Sequence, residues 1–187
     1  MNQNKSNNLK GIVVALKANF LIVEIDYPNF KKASLDQFYE KVRLLCTRRA
    51  KLDYQGLFID VGDIVCVESI DYKNKRAVIS EVEPRKSFLI RPAVANVTLV
   101  SICISVDEPL LDIAQASRFL LTAECSNIKP LIVLTKIDLI TKDNLMLYVN
   151  KLKSWGYDCM PVSTQTSQGI DLLIERFRKT KLTVLAG

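Results

Sequence analysis

The sequence predicts two domains of different class, a small all-β barrel followed by a parallel α/β sheet. Three observations carry that reading. Short alternating or apolar runs separated by polar turns fill residues 10–82. Two prolines and three cations crowd residues 83–92, and beyond them apolar strands alternate with helical stripes.

The barrel is read from five strands. Residues 11–18 and 20–27 are split by a hairpin-like break at Lys17, Ala18 and Asn19. Residues 41–47, 63–70 and 76–82 follow, with a polar turn over 71–75 between the last two. Five short strands in fewer than about 80 residues suit a closed or partly open barrel. The OB-fold is the commonest nucleic-acid-binding example, and an SH3-like barrel leaves the same pattern. Residues 1–9 are polar and read as a disordered tail, and residues 83–92 as a linker.

After the linker the periodicity changes. Residues 97–105 form a continuous apolar strand, and within 112–126 a helical stripe runs through Ile113, Ala116, Leu120, Leu121 and Ala123. Strands at 131–134, 157–162 and 182–186 then alternate with helices at 142–155 and 170–178. Strands buried on both faces and spaced by helices specify a parallel α/β sheet over 93–187.

Charge and aromatics divide unevenly. Residues 1–92 hold 16 Lys and Arg against 11 Asp and Glu, whereas 93–187 hold 10 against 9. Nine of the 14 aromatics also fall in the first part, a mixture that irregular or single-stranded RNA favours, although a solvated surface over core aromatics fits as well. Five cysteines without a C-x-x-C pair suit a reducing cytosol, with Cys66 and Cys103, inside apolar runs, as core residues. The chain has no histidine, which excludes Ser-His and Cys-His catalysis and every His-containing metal site. Neither a signal core nor a membrane-length apolar stretch occurs, so a cytoplasmic protein without membrane contact is expected.

In a parallel α/β sheet, ligands sit at the carboxyl ends of the strands. Thr135, Lys136, Ile137 and Asp138 occupy that position after the second strand, and residues 162–166 after the third. Guanine presents N1–H and N2–H side by side, and the Asp138 carboxylate can accept from both. Adenine offers an acceptor where the carboxylate needs a donor, which leaves the site unpaired. Lys136 would lay its alkyl stem over the base, and a backbone N–H at Ser163 or Thr164 would meet guanine O6. The competing reading has Lys136 and Asp138 merely opening a loop, with Asp143 as helix N-cap. Residues 181–187 read as a strand running into Gly187, the first glycine of a G-x-x-x-x-G-K-[ST] phosphate loop whose remainder is not among these residues. Half of a GTP site is therefore expected, binding GTP or GDP, with no catalytic residue in this chain. The six glycines never approach a G-x-G-x-x-G spacing, which argues against a dinucleotide-dependent oxidoreductase.

Taken together, several stretches resemble one family. They are residues 48–52 (Arg-Arg-Ala-Lys-Leu), 61–65 (Val-Gly-Asp-Ile-Val), 84–87 (Pro-Arg-Lys-Ser) and 91–97 (Arg-Pro-Ala-Val-Ala-Asn-Val). Further on come Arg118-Phe119-Leu120, the Thr135–Asp138 tetrapeptide, Gly169-Ile170 and Val184-Leu185-Ala186-Gly187. Over residues 10–187 the chain is similar to the circularly permuted GTPases of small-subunit ribosome biogenesis, the RsgA/YjeQ family.

The resemblance implies an OB-fold followed by a P-loop GTPase-like domain, incomplete here, whose guanine-reading motifs precede its phosphate-binding ones. It implies a monomer that acts late in maturation of the 30S ribosomal subunit and contacts 16S rRNA. Arg43, Arg48, Arg49 and Lys51 of the barrel, with Arg85, Lys86 and Arg91 of the linker, are the expected rRNA phosphate contacts. The family's Mg²⁺-binding Ser or Thr, switch loops and structural Zn²⁺ ligands fall beyond Gly187. Both ions are thus expected only in a full-length protein, with no metal site in this chain and no GTP hydrolysis by it alone. The family usually has Asn where Thr135 stands, which implies weaker guanine binding. The alternative is a non-enzymatic RNA-binding OB-fold module on a nucleotide-free α/β scaffold.

Overall fold

Alternation at period two closes the first half of the chain into a barrel. The computed structural model describes residues 9–29, 38–54 and 56–187, which divide into two units between Asn96 and Val97. The barrel strands are β1 (Leu9–Lys17), β2 (Phe20–Asn29), β3 (Phe38–Arg48), β4 (Ile64–Asp71) and β5 (Arg76–Val82), with the short helix α1 (Ala50–Tyr54) between β3 and β4. They close in the order β1-β2-β3-β5-β4. Four of the pairings are antiparallel, and β3 with β5 is parallel, from Leu45 opposite Arg76 to Arg48 opposite Ile79. This order selects the OB-fold over the SH3-like alternative. Inward positions alternate as Leu21, Val23 and Ile25 on β2 and Val65 and Val67 on β4, all buried. Gly11 lets β1 lie against β2, because a Cβ there would overlap the Val23 and Ile25 side chains.

Three expectations for this half concern its ends and its cysteines. The tail expected over 1–9 lies outside the described residues except for Leu9, which pairs with Val67 as the first residue of β1. Cys66 is not a core residue: it sits between buried Val65 and Val67, so the pleat turns it to the other face, and the buried barrel cysteine is Cys46. Burial pushes the Cys46 thiol up to about 11. Finally, residues 83–92, expected as a linker, group with the barrel's unit. Two short strands, β6 (Phe88–Leu89) and β7 (Val94–Ala95), pair there, and Ala95 N donates to Val61 O at 2.8 Å. Asn96 donates through Nδ2 to Gly62 O and accepts at Oδ1 from Lys86 N.

The second unit is a four-stranded, all-parallel sheet: β8 (Leu99–Ser105), β9 (Pro130–Thr135), β10 (Cys159–Pro161) and β11 (Thr183–Ala186), in the order β10-β9-β8-β11. Helices α2 (Ile113–Cys125), α3 (Lys142–Ser154) and α4 (Ile170–Arg178) connect them. Helix α2 buries Ala116, Leu120 and Ala123 of the expected stripe. Ile170, Leu173 and Phe177 of α4 pack on Leu99, Leu131 and Val133. Asp112 caps α2 by accepting from Ala114 N and Gln115 N, and Thr141 caps α3. Asp143 therefore lies in the first turn of α3 and is not its cap. The third strand is shorter than expected because β10 is an edge strand, paired only with β9.

Candidate functional site

Chain order runs β8, β9, β10 toward one edge, and β11 then returns to the far side of β8. The switch point between β8 and β11 is where an open α/β sheet gathers its ligand-binding loops. A cavity of about 320 Å³ lies at these carboxyl ends, lined among others by Ser105, Asp112, Phe119, Thr135, Lys136 and Gly187. The structure thus brings Thr135 and Lys136 of the tetrapeptide and Gly187 to one pocket, although about 50 residues separate them in sequence; Asp138 is not among its lining residues.

Each residue of the tetrapeptide has a structural reason for its position. Thr135 ends β9, and its hydroxyl donates to Ile104 O at 3.3 Å, tying β9 to β8. Lys136 takes the left-handed conformation, φ 60°, which turns the chain sharply out of the strand. Its ammonium donates to the carbonyl of Glu108 in the β8–α2 loop. Ile137 is buried, an anchor that leaves Asp138 exposed on a single 3-10 turn over Ile137–Leu139. Asp138 Oδ1 accepts from Ser163 Oγ at 2.5 Å. Ser163 is fully buried, and its oxygen in turn accepts from Thr166 N at 3.1 Å. One hydrogen bond orients the carboxylate and leaves most of its acceptor capacity. The amide of Ser163 donates to Gln168 O at 2.9 Å, so Ser163 acts through its hydroxyl, and the exposed Thr164 is the remaining backbone donor of the two expected.

Two glycines are demanded here. Gly169 starts α4 at φ 74°, where a Cβ would collide with the Pro161 carbonyl. Gly187 follows β11 so closely against β8 that a Cβ would overlap the Cys103 carbonyl.

The cations expected to meet RNA separate into distinct settings. Arg43, on β3, donates to Glu24 Oε2 at 3.1 Å beside Lys41, and these partners, Lys41 first, hold the Glu24 carboxyl below its ordinary range. Arg49 pairs with Glu68. Arg48, Lys51, Lys86 and Arg91 are exposed. Arg85, also expected as an rRNA phosphate contact, is different, because carboxylates of its own unit engage it. Its fork donates to both carboxylate oxygens of the fully buried Asp63 at 2.8 Å, to Asp60 Oδ2 at 2.8 Å and to Phe58 O at 2.9 Å. The guanidinium also lies 4.4 Å from the Phe88 ring centroid. Asp63 accepts from Asp60 N at 2.8 Å as well. No local sequence signal pairs residues 22 positions apart.

Comparison with known proteins agrees with the geometry. The model of the RsgA GTPase family matches residues 82–187, more than half of the chain. The chain belongs to the RsgA GTPase family. A small ribosomal subunit biogenesis GTPase RsgA of Prochlorococcus marinus strain NATL2A is 81% identical over 187 residues, all of this chain and 60% of that protein. The RsgA of strain MIT 9303 is 47% identical over 184 residues, 96% of this chain and 57% of that protein. Among solved structures, YjeQ from Thermotoga maritima matches with a TM-score of 0.77 and 30% identity, over 96% of this chain and 60% of that one. YloQ, described as a circularly permuted GTPase, matches at 0.77 and 24% identity and shares the fold. This RsgA-family chain spans about 60% of the length of the curated relatives it matches.

Proposed function

We propose that this chain supplies the guanine-selecting and RNA-facing parts of a GTPase that assists late maturation of the small ribosomal subunit. The observation that carries the reading is the Asp138 carboxylate, oriented by buried Ser163 just past the carboxyl end of β9, two residues after Lys136, which lines the switch-point cavity. It would accept N1–H and N2–H of guanine, with the Thr164 amide toward O6 and the Lys136 stem over the ring. The names of the relatives support the ribosomal role, and the exposed cations Arg48, Lys51, Lys86 and Arg91 support contact with 16S rRNA of the 30S subunit. Cytoplasmic, monomeric action belongs to the same proposal; among the described residues no helix is long and apolar enough to cross a membrane.

Hydrolysis is proposed for the full-length protein. Phosphoryl transfer is almost entirely positioning and charge stabilisation, and the lysine and Ser or Thr of a phosphate loop are not among these 187 residues. Mg²⁺ and structural Zn²⁺ belong, in the same proposal, to the full-length protein. This chain would select the base and leave the phosphates to other segments.

The test is competition for a fluorescent guanine nucleotide. GDP displaces it, ADP does not, and Asp138→Ala removes the preference in a variant that circular dichroism shows to be folded. Equal displacement by GDP and ADP defeats the guanine reading. Salt-dependent RNA binding without any nucleotide binding would instead favour the RNA module on a nucleotide-free scaffold.

A further inference from the structure

We propose that Tyr54 and Phe58, on the connection between β3 and β4, form a platform on which unpaired RNA bases stack, with the exposed Lys51 of the same segment for an adjoining phosphate. The inference rests on the RNA-binding reading above and adds to it the contact residues and the mode of recognition. Among the described residues Tyr54 and Phe58 are the most exposed large hydrophobic side chains, at 91% and 84%. Folding does not require this exposure, because the same segment buries Leu52 and Ile59 in the barrel core. The two rings are excluded from a core that their neighbours enter.

The backbone at Leu52 and at Phe58 is held in place. Leu52 N donates to Arg49 O at 2.9 Å, and the Phe58 carbonyl accepts from Arg85, itself fixed by Asp60 and Asp63. A ring presented on fixed backbone loses little conformational freedom on binding. Charge completes the match. Residues 48–58 carry Arg48, Arg49 and Lys51 against the single acid Asp53, and Arg49 is paired with Glu68. The most exposed large apolar side chains of the second unit, Leu110, Leu147 and Leu172, are aliphatic and offer no π face, and the exposed aromatic there, Trp155, is only 39% exposed. Aromatic faces beside cations suit bases and phosphates, because every base has a face to stack and the contact tolerates any sequence.

The experiment is fluorescence anisotropy of the whole chain with a labelled single-stranded RNA of mixed sequence, titrated across KCl concentrations. Tyr54→Ala and Phe58→Ala should each weaken binding about tenfold at every salt concentration, with unchanged melting temperature, whereas Tyr54→Phe and Phe58→Trp should bind as the native chain does. Lys51→Ala should instead flatten the salt dependence by about 0.7 in the log–log slope. If the native chain binds no single-stranded RNA, this inference and the RNA reading fall together. If it binds RNA and the two alanine variants bind equally well, the RNA reading stands and the stacking platform is overturned. Equal affinity for a fully paired RNA duplex would also overturn it, since paired bases present no face to a ring.

Discussion

The two units solve the problem of strand edges in opposite ways. In the barrel, β1 bonds to both β2 and β4, and β5 bridges β3 and β4, so no strand is left as a free edge. The sheet of the second unit is open, with β10 at one edge and β11 at the other. Strand β11 presents Leu185 at 62% exposure, and Leu172 of α4 is exposed as well. Closure satisfies backbone donors and acceptors within the unit, whereas an apolar open edge is a template for pairing with another chain. The barrel is thus a finished object, and the sheet keeps its recognition chemistry next to an edge that invites company.

The largest expected effect breaks the finished half. Asp63→Ala removes the buried acceptor of the Arg85 fork and of Asp60 N, and should cost about 3 kcal/mol by urea unfolding followed by circular dichroism. A loss below about 1 kcal/mol would count against the clamp. Function on the open half comes next: Asp138→Ala should lower guanine affinity at least about 100-fold in a variant that still folds, the unpaired Ser163 hydroxyl costing only about 1–3 kcal/mol. An intermediate effect sharpens the contrast of edges. Leu185→Lys places a charge on β11 and should raise the concentration at which light scattering sets in, leaving the barrel's unfolding untouched. No change in scattering would mean that the β11 edge is not the sticky one.

The smallest effect is a pH dependence confined to the barrel. Glu24 is held below its ordinary 4.5 by Lys41 and then Arg43, so its contribution is complete above that value and fades as pH falls through the lower folded one. Native barrel stability should therefore drop more between about pH 5 and 3 than that of Glu24→Gln. The difference should stay under about 1 kcal/mol, because the side chains of both cations are 70% exposed. Parallel curves for the two proteins would remove Glu24 from the account.

Much of this was legible residue by residue. Alternation of Leu21, Val23 and Ile25 announces a strand because the pleat is local, and continuous apolar runs such as 131–134 announce strands covered on both faces. Thr135 to Asp138 could be placed at a strand end because the apolar run that stops there and the polar residues that follow are adjacent in sequence, and the guanine role remains the proposal. Cys66 was misjudged because an apolar run does not reveal which face of the pleat is inside until the barrel closes.

Local pattern thus decides which residues are strand, helix or turn, since periodicity and turn chemistry act over a few neighbours. Long-range pairing alone decides what those residues meet. Arg85 looks like a solvent-facing cation on a proline-rich linker until folding brings Asp63 and Asp60 within its reach, and then desolvation makes the pair a clamp. Ser163 becomes the support of Asp138 only because β10 pairs beside β9, which sets the loops after them side by side. A hydrogen bond depends on distance in space, and distance in space is a property of the folded chain.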